Sequence, residues 1–575
     1  MLSYAAKYKK QFILGPACKL TEAILELLVP LVMAKIVDVG IKNGDIPYIL
    51  KMGGLMLLLG VAGLCFAVIC QYCAAVAQQG MGTDLRRDLL KKINSFSPAD
   101  RAKFSNSTLI TRITNDVNQI QSAAAMLIRL VFRSPFLIAG SLIMAMALDL
   151  RLSVIFFGAG LLVSALMYYV LSKTLPLYKS IQKKLDKLMR KTGESLSGAR
   201  VIRALVREDY ENQRFAEENK SLTAVCMRVA KLNACLNPAT FAIINLALTL
   251  LLLLGGKKVN TGSLTTGEVI ALTNYMTQIL LSIIVFANVI VIFTKAGAGI
   301  ERVNEVLNTE PTQIEGSKDS MEITEYAVEF ENADFSFQDS EEKALSNINL
   351  KIKTGETIGI IGGTGSGKSA LVNLILRLYD ADCGEVRVFG ENVQSYTFGA
   401  LRRGVHIVSQ GSRLFKGTVK FNLTCGRTDI TDEQLKNALE IAQCTEFISK
   451  LPLGLDSPVK EGGKNFSGGQ RQRLCIARAV AGNPHILIFD DSSSALDFAT
   501  DAKFRQAVRQ RLAGKTVIFV AQRVSTVKDA DKIFLIDDGR IEAEGTHGEL
   551  YASSPLYREI CRSQQASEEG ENENL

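Results

Sequence analysis

The stretch ETIGIIGGTGSGKSALVNLILRLY, residues 356–379, decides the fold of the second half of this chain. A short β-branched run leads into the octet GGTGSGKS at 362–369, and an apolar run at helical spacing leads out of it. Strand, glycine-rich loop and helix in that order form a phosphate-binding loop. Gly362, Gly363, Gly365 and Gly367, with Thr364 and Ser366 between them, let backbone amides approach phosphate oxygens. Lys368 reaches the β and γ phosphates, and the Ser369 hydroxyl suits Mg2+.

Downstream, the strand-like runs EVRVFG, HILIFD, KTVIFVA and DKIFLIDDG alternate with helical ones such as RQRLCIARAVAG and FRQAVRQRLAG. This is the pattern of a largely parallel sheet with helices on its faces. Asp490 ends the apolar strand ILIF, where a carboxylate can hold the Mg2+ shell beside Lys368 and Ser369.

Upstream the texture changes. Six apolar stretches lie at 12–37, 52–77, 124–148, 152–171, 238–254 and 269–293, each near the ~20 residues a helix needs to cross a bilayer. The mean hydropathy of +0.16 averages two different solvents. Lys19 and Glu22, and the lack of a small-residue cleavage site, argue that the first stretch is retained rather than removed as a signal. Fourteen basic residues lie between Lys173 and Lys231, whereas the loops near Asn43 and Asp149 are short and nearly neutral. By the positive-inside rule the long loops and both termini are cytoplasmic, in an integral, multi-pass protein of a plasma (bacterial inner) membrane. Membrane orientation therefore accounts for the net charge of +8, and nothing points to nucleic acid.

The eleven cysteines show no metal spacing; Cys70 and Cys73 form a CxxC inside an apolar stretch, where cysteine acts as a small hydrophobe. The three histidines are scattered, and the glycosylation-like strings at Asn106, Asn219, Asn422 and Asn465 fall on the cytoplasmic side. The long loops at 78–123 and 172–236 are helical in pattern, long enough to carry their tips ~30 Å from the bilayer.

With the signature FSGGQ at 466–470 added, the chain resembles an ABC exporter half-transporter, most of all the heterodimeric bacterial multidrug type. The likeness extends to Gln410 in IVSQ, to SALD at 494–497, to Phe337 where the family stacks a tyrosine on adenine, and to LITRITNDV and VIRALVREDYEN in the two long loops. It implies an all-α six-helix transmembrane domain at 1–310, a linker at 311–325, an α/β P-loop nucleotide-binding domain at 326–562 and a disordered acidic tail at 563–575. It also implies ATP and Mg2+, with Gln410 joining Ser369 and Asp490 at the metal.

Two positions depart from the pattern. Hydrolysing members have Glu after the strand-ending Asp and His in the segment resembling VAQRVST; here these are Asp491 and Gln522. Asp is one methylene shorter, which withdraws its carboxylate by roughly 1 Å, and misplacements of that size can cost ~10²-fold. Gln cannot shuttle a proton, though it can hydrogen-bond a phosphate. The chain is expected to bind ATP at its own loop and hydrolyse it poorly. Resemblance further implies that each ATP is sandwiched between one chain's loop and the other's signature. The intact Ser467, Gly468, Gly469 and Gln470 would thus complete a competent site on a homologous partner carrying the Glu and His.

Within the spans, Glu22 and Glu26 share one helical face, as do Arg129 and Arg133. Charges there either line a water-filled cavity or pair with one another, and both readings stand. Lys35 and Asp38 are expected to pair at the outer end. The expected function is export of an amphipathic drug or lipid. The alternatives are a homodimeric flippase, which Asp491 and Gln522 disfavour, and an ATP-gated channel or regulator that does not pump. A peptide exporter with its own protease is disfavoured because the chain begins at the first span.

Overall fold

A computed structural model of the chain describes residues 2–337, 342–411, 413–493 and 495–572. They fall into two compact units: the residues up to Asn94 together with Asn106–Thr309, and Ser95–Ser105 together with the chain from Glu310 onward.

The first unit is helical. Its long helices are α1 (Lys9–Lys35), α2 (Ile46–Asn94), α3 (Asn106–Leu148), α4 (Leu150–Ser197), α5 (Glu208–Asn260) and α6 (Thr266–Asn308). Among the described residues, five of these, α2 to α6, are long and apolar enough to cross a membrane. The expected count of six spans meets its limit at α1, whose apolar stretch is interrupted by Lys19, Glu22 and Glu26. Those charges are partnered. Lys19 meets Glu22 one turn on at 2.7 Å, and Arg133 of α3 meets Glu26 at 2.6 Å. Pairing of this kind removes much of the cost of a charge in hydrocarbon.

Polar contacts also bind the other helices. Asp116 of α3, 1% exposed, accepts from Arg302 of α6 at 2.8 and 2.6 Å, the two-pronged geometry that makes arginine–carboxylate pairs strong. Tyr275 of α6 is fully buried and donates to the Leu27 carbonyl at 2.7 Å. Asp38 does not pair with Lys35 as expected. It accepts from Thr265 Oγ1 at 2.6 Å and from the Gly267 amide at 2.8 Å, so it ties down the start of α6, where backbone amides lack helical partners. The backbone of α3 contains two π-helical segments, Arg112–Asp116 and Leu127–Val131. Such bulges occur often at functional positions.

The second unit carries the strands β1 (Tyr326–Ser336), β2 (Lys343–Lys353), β3 (Thr357–Ile361), β4 (Cys383–Val388), β5 (Glu391–Asn392), β6 (Val405–Val408), β7 (Gly417–Thr418), β8 (Pro458–Val459), β9 (Ile486–Asp490), β10 (Thr516–Ala521), β11 (Lys532–Asp537) and β12 (Arg540–Gly545). The main sheet has the order β12-β11-β3-β10-β9-β6 and is parallel apart from the β11–β12 hairpin. A second, antiparallel sheet has the order β2-β1-β4-β5. Every residue of β9 and β10 is buried, which is why these strands read as unbroken apolar runs. Adjacency of β3, β10 and β9 sets Gly362, Gln522 and Asp491 at neighbouring carboxyl ends of parallel strands, the edge where such sheets hold ligands.

In the short helix Pro98–Ala102, Asp100 is fully buried and accepts from the Ser97 hydroxyl at 2.9 Å and from the Thr312 amide at 3.0 Å. The helix Pro555–Asn572 continues through most of the 563–575 stretch expected to lack structure; residues 573–575 lie outside the described ones. Its first turns are anchored by Tyr557, fully buried, and Cys561, 4% exposed, both of which precede the acidic stretch.

Candidate nucleotide site

The loop between β3 and α7 (Lys368–Ile375) is shaped by its glycines. Gly365 and Gly367 take φ of 86° and 99°, left-handed values that an L side chain resists. A Cβ on Gly363 or Gly365 would meet nothing within 4 Å, so these two face open space in which phosphate oxygens fit. Lys368 Nζ curls over the loop, donating to the carbonyls of Gly362 (3.0 Å) and Gly363 and approaching Ser366 Oγ at 3.3 Å. Burial lowers its pKa from the ordinary lysine value, which makes an anion in the loop a favourable partner.

A cavity of ≈ 260 Å³ opens here. It is lined by Thr364 to Ser369, by Gln410, Asp490, Asp491 and Gln522, and at one side by Phe337. Phe337 is held edge-on by Phe335 at 4.9 Å and by Tyr379 at 5.6 Å between ring centroids. That support leaves the ring, 42% exposed, able to stack on a planar base.

The charged end is formed by β9. Asp490 accepts from Ser369 Oγ at 3.2 Å, and burial raises its pKa above the usual carboxylate value. A hydroxyl and a carboxylate that close, with Gln410 lining the same cavity, fit the oxygen donor set Mg2+ prefers. Asp491 is turned by a left-handed backbone, φ 45°, while its amide bonds the Val520 carbonyl at 2.9 Å. Its Oδ2 receives Gln410 Nε2 at 3.5 Å, the far limit of a hydrogen bond. Its pKa is also raised, chiefly by burial.

Of the residues singled out from sequence, Gly362 and Gly363 lie at the loop's entry, and Ser467, Gly468, Gly469 and Gln470 are not among the cavity's lining residues. Ser467 instead caps helix α8 (Gly468–Ala481) in a reciprocal box with Gln470, at 3.3 and 3.0 Å. The end of that helix is exposed. Of SALD, Ser494 lies outside the described residues, and Asp497 caps the helix Phe498–Arg511. The charges at Glu22, Glu26 and Arg133 are paired as described. Arg129 has a buried Nε without a hydrogen-bond partner.

Sequence reading missed several contributors. Ala344 joins the lining, the Phe335–Tyr379 pair supports Phe337, and Arg523 lowers the Asp491 pKa through its charge. Gln564 of the terminal helix was also missed. The only signal for it is that Tyr557, Cys561 and Gln564 recur at helical spacing on one face.

A family profile described as ABC transporter transmembrane region matches residues 12–283, and one described as ABC transporter matches residues 345–494. An uncharacterized ABC transporter ATP-binding protein of Bacillus subtilis, YfiB, is 36% identical over 96% of this chain and 96% of its own length. A multidrug efflux ATP-binding/permease protein of Mycobacterium tuberculosis is 29% identical over 97% of this chain and 46% of its own length. A bacterial Atm1-family ABC exporter with ATP bound shares the fold, with a TM-score of 0.80 at 22% identity, covering 98% of this chain and 99% of that one.

Proposed function

The chain belongs to the ABC transporter family, and from that premise we propose that it is one half of a two-chain, ATP-driven exporter whose own nucleotide site retains ATP and hydrolyses it slowly. The observation that carries this reading is the company Asp491 and Gln522 keep. Both line the cavity that holds Lys368, Ser369 and Asp490, so the two departures from the family pattern fall where the γ-phosphate and its attacking water would lie.

Binding and chemistry separate at this site. The loop amides and Lys368 cradle the phosphates, and Phe337 stacks on the base. When bound, Mg2+ held by Ser369, Asp490 and Gln410 neutralises charge on the β and γ phosphates. Asp491 stands where hydrolysing members carry Glu, with a side chain one methylene shorter to reach an attacking water, and Gln522 offers an amide in place of a titratable ring. The signature Ser467 to Gln470 presents an exposed helix end, suited to a phosphate on a second chain. The mycobacterial relative supports the same stoichiometry, since this chain corresponds to 46% of its length, the share expected of one half among two. Substrates are amphipathic drugs or lipids, and of Glu22, Glu26, Arg129 and Arg133 it is Arg129 that has no ion pair among the described residues and is available to meet one.

ATPase activity of the purified chain, alone and co-purified with a homologous chain carrying Glu and His at these positions, tests the reading. Little turnover alone and restoration in the pair is the expected result. Turnover by the isolated chain equal to that of the pair would end it.

A further inference from the structure

The side chain of Gln564 grips the backbone on both sides of Arg523. Its Nε2 donates to the Gln522 carbonyl at 2.7 Å, and its Oε1 accepts from the Val524 amide at 2.8 Å. A carboxamide meeting one carbonyl and one amide reproduces the pairing of a β-ladder in a single side chain. The two bonds bracket the segment that follows β10 and carries Gln522, whose side chain lines the nucleotide cavity.

The segment needs outside help. Val524–Val527 is a single helical turn, and the residue before it, Arg523, makes no side-chain cap bond. The first amides of a helix have no partner within it, and the Val524 amide finds its acceptor forty residues away. Gln564 is itself well placed. Tyr557 and Cys561, buried two turns and one turn earlier on the same face, fix the helix Pro555–Asn572 in the core, and Tyr557 Oη meets His547 Nδ1 at 2.8 Å. The switch position at Gln522 is therefore held from behind by a group that never touches the nucleotide.

We infer that Gln564 is a positioning residue for this chain's nucleotide site, holding Gln522 against the γ-phosphate position and so lengthening the stay of ATP. The inference rests on the nucleotide-binding reading of the cavity but not on slow hydrolysis there. It makes the terminal helix part of the retention machinery and gives anything that displaces that helix a means of releasing nucleotide.

The test uses the full-length chain in nanodiscs with Mg2+ and ATP. Gln564→Met keeps the length and helix propensity of the side chain and removes both hydrogen bonds; Gln564→Glu keeps the acceptor and turns a carboxylate oxygen toward the Gln522 carbonyl. Arg562→Ala, exposed on the same helix, is the control. Two readouts are taken: hydrogen exchange over residues 522–527, and the rate at which bound ATP is released after a chase. Each bond contributes about a factor of five by the usual net value of a neutral hydrogen bond. Both Gln564 variants are expected to exchange the segment faster and to release ATP roughly five- to twentyfold faster, with Arg562→Ala unchanged. Lys368→Ala shows separately whether the cavity binds ATP at all. Unchanged exchange at 522–527, or faster exchange with ATP release as in the unsubstituted chain, would overturn the inference. A loss shared equally by the Arg562 control would also overturn it, because the effect would then belong to the helix and not to the clamp.

Discussion

Restoring the two departures in this chain should raise hydrolysis at its own site by about two orders of magnitude. In the structure the Asp491 carboxylate contacts Gln410 Nε2 at 3.5 Å, while Asp490 beside it bonds Ser369 at 3.2 Å. Asp491→Glu adds one methylene and carries the carboxylate roughly 1 Å further into a cavity of ≈ 260 Å³, with no change to the left-handed backbone that aims it. A reacting group misplaced by ~1 Å can lose ~10²-fold, which corresponds to about 2.7 kcal/mol of barrier. Gln522→His in the same chain adds a group able to accept and return a proton near neutral pH. Because the signature is intact, a self-associated form of the doubly substituted chain would hold two restored sites, so no partner is needed. The assay is single-turnover conversion of ATP to ADP with enzyme in excess, on Asp491→Glu/Gln522→His against the unsubstituted chain. ATP affinity is measured in parallel. A gain below about threefold, at unchanged affinity, would refute the claim that these two side chains set the rate.

Asp490→Asn removes a buried carboxylate whose pKa is raised by burial. At neutral pH that ionised group destabilises the nucleotide-free fold, so the variant should melt about 2–4 °C higher without nucleotide and lose the Mg2+-dependent part of its stabilisation by ATP. The sign follows from linkage: the folded-state pKa lies above the unfolded value, so the difference between variant and parent is full above the folded pKa, shrinks as pH falls below it, and is gone below the unfolded value. Differential scanning calorimetry between pH 4 and 8 checks both points. Ser467→Arg should cut turnover of the paired exporter at least tenfold by obstructing the partner's site while leaving ATP binding at this chain's own cavity intact; filter binding with Lys368→Ala as the negative control separates the two. Glu26→Gln or Arg133→Gln alone should each lower stability in nanodiscs, and the double change should recover about 1 kcal/mol of the loss. A double-substitution cycle reads the coupling, and additive effects would mean the pair does not hold α1 to α3.

Much of the nucleotide cavity was legible because it is local in sequence. Strand, glycine loop and helix are contiguous at 356–379, and the carboxylates follow directly from β9, so adjacency along the chain became adjacency in space. Phe337 was reachable only through resemblance, and its supports Phe335 and Tyr379 were not, because contacts across sheet and helix leave no fixed spacing. The membrane half was legible as apolar stretches, but α1 shows why hydropathy alone fails there: Glu26 is tolerated because of Arg133, more than a hundred residues on. Asp38 was misassigned to Lys35 because proximity in sequence was the sole guide, whereas the start of α6 supplies stronger donors. Gln564 lay in a segment whose acidic composition suggested disorder, and the buried Tyr557 and Cys561 that extend the helix are a packing effect that composition does not register.

The most direct test of the account is the chemical identity of the nucleotide bound to the unsubstituted chain. The full-length protein is loaded with radiolabelled Mg-ATP, separated from free nucleotide, and its bound nucleotide resolved into ATP and ADP over time. The bound label is expected to remain ATP for minutes, while Asp491→Glu/Gln522→His converts it at least tenfold faster. Conversion of bound ATP to ADP by the unsubstituted chain as fast as by the restored one would show that Asp491 and Gln522 do not slow hydrolysis at this site.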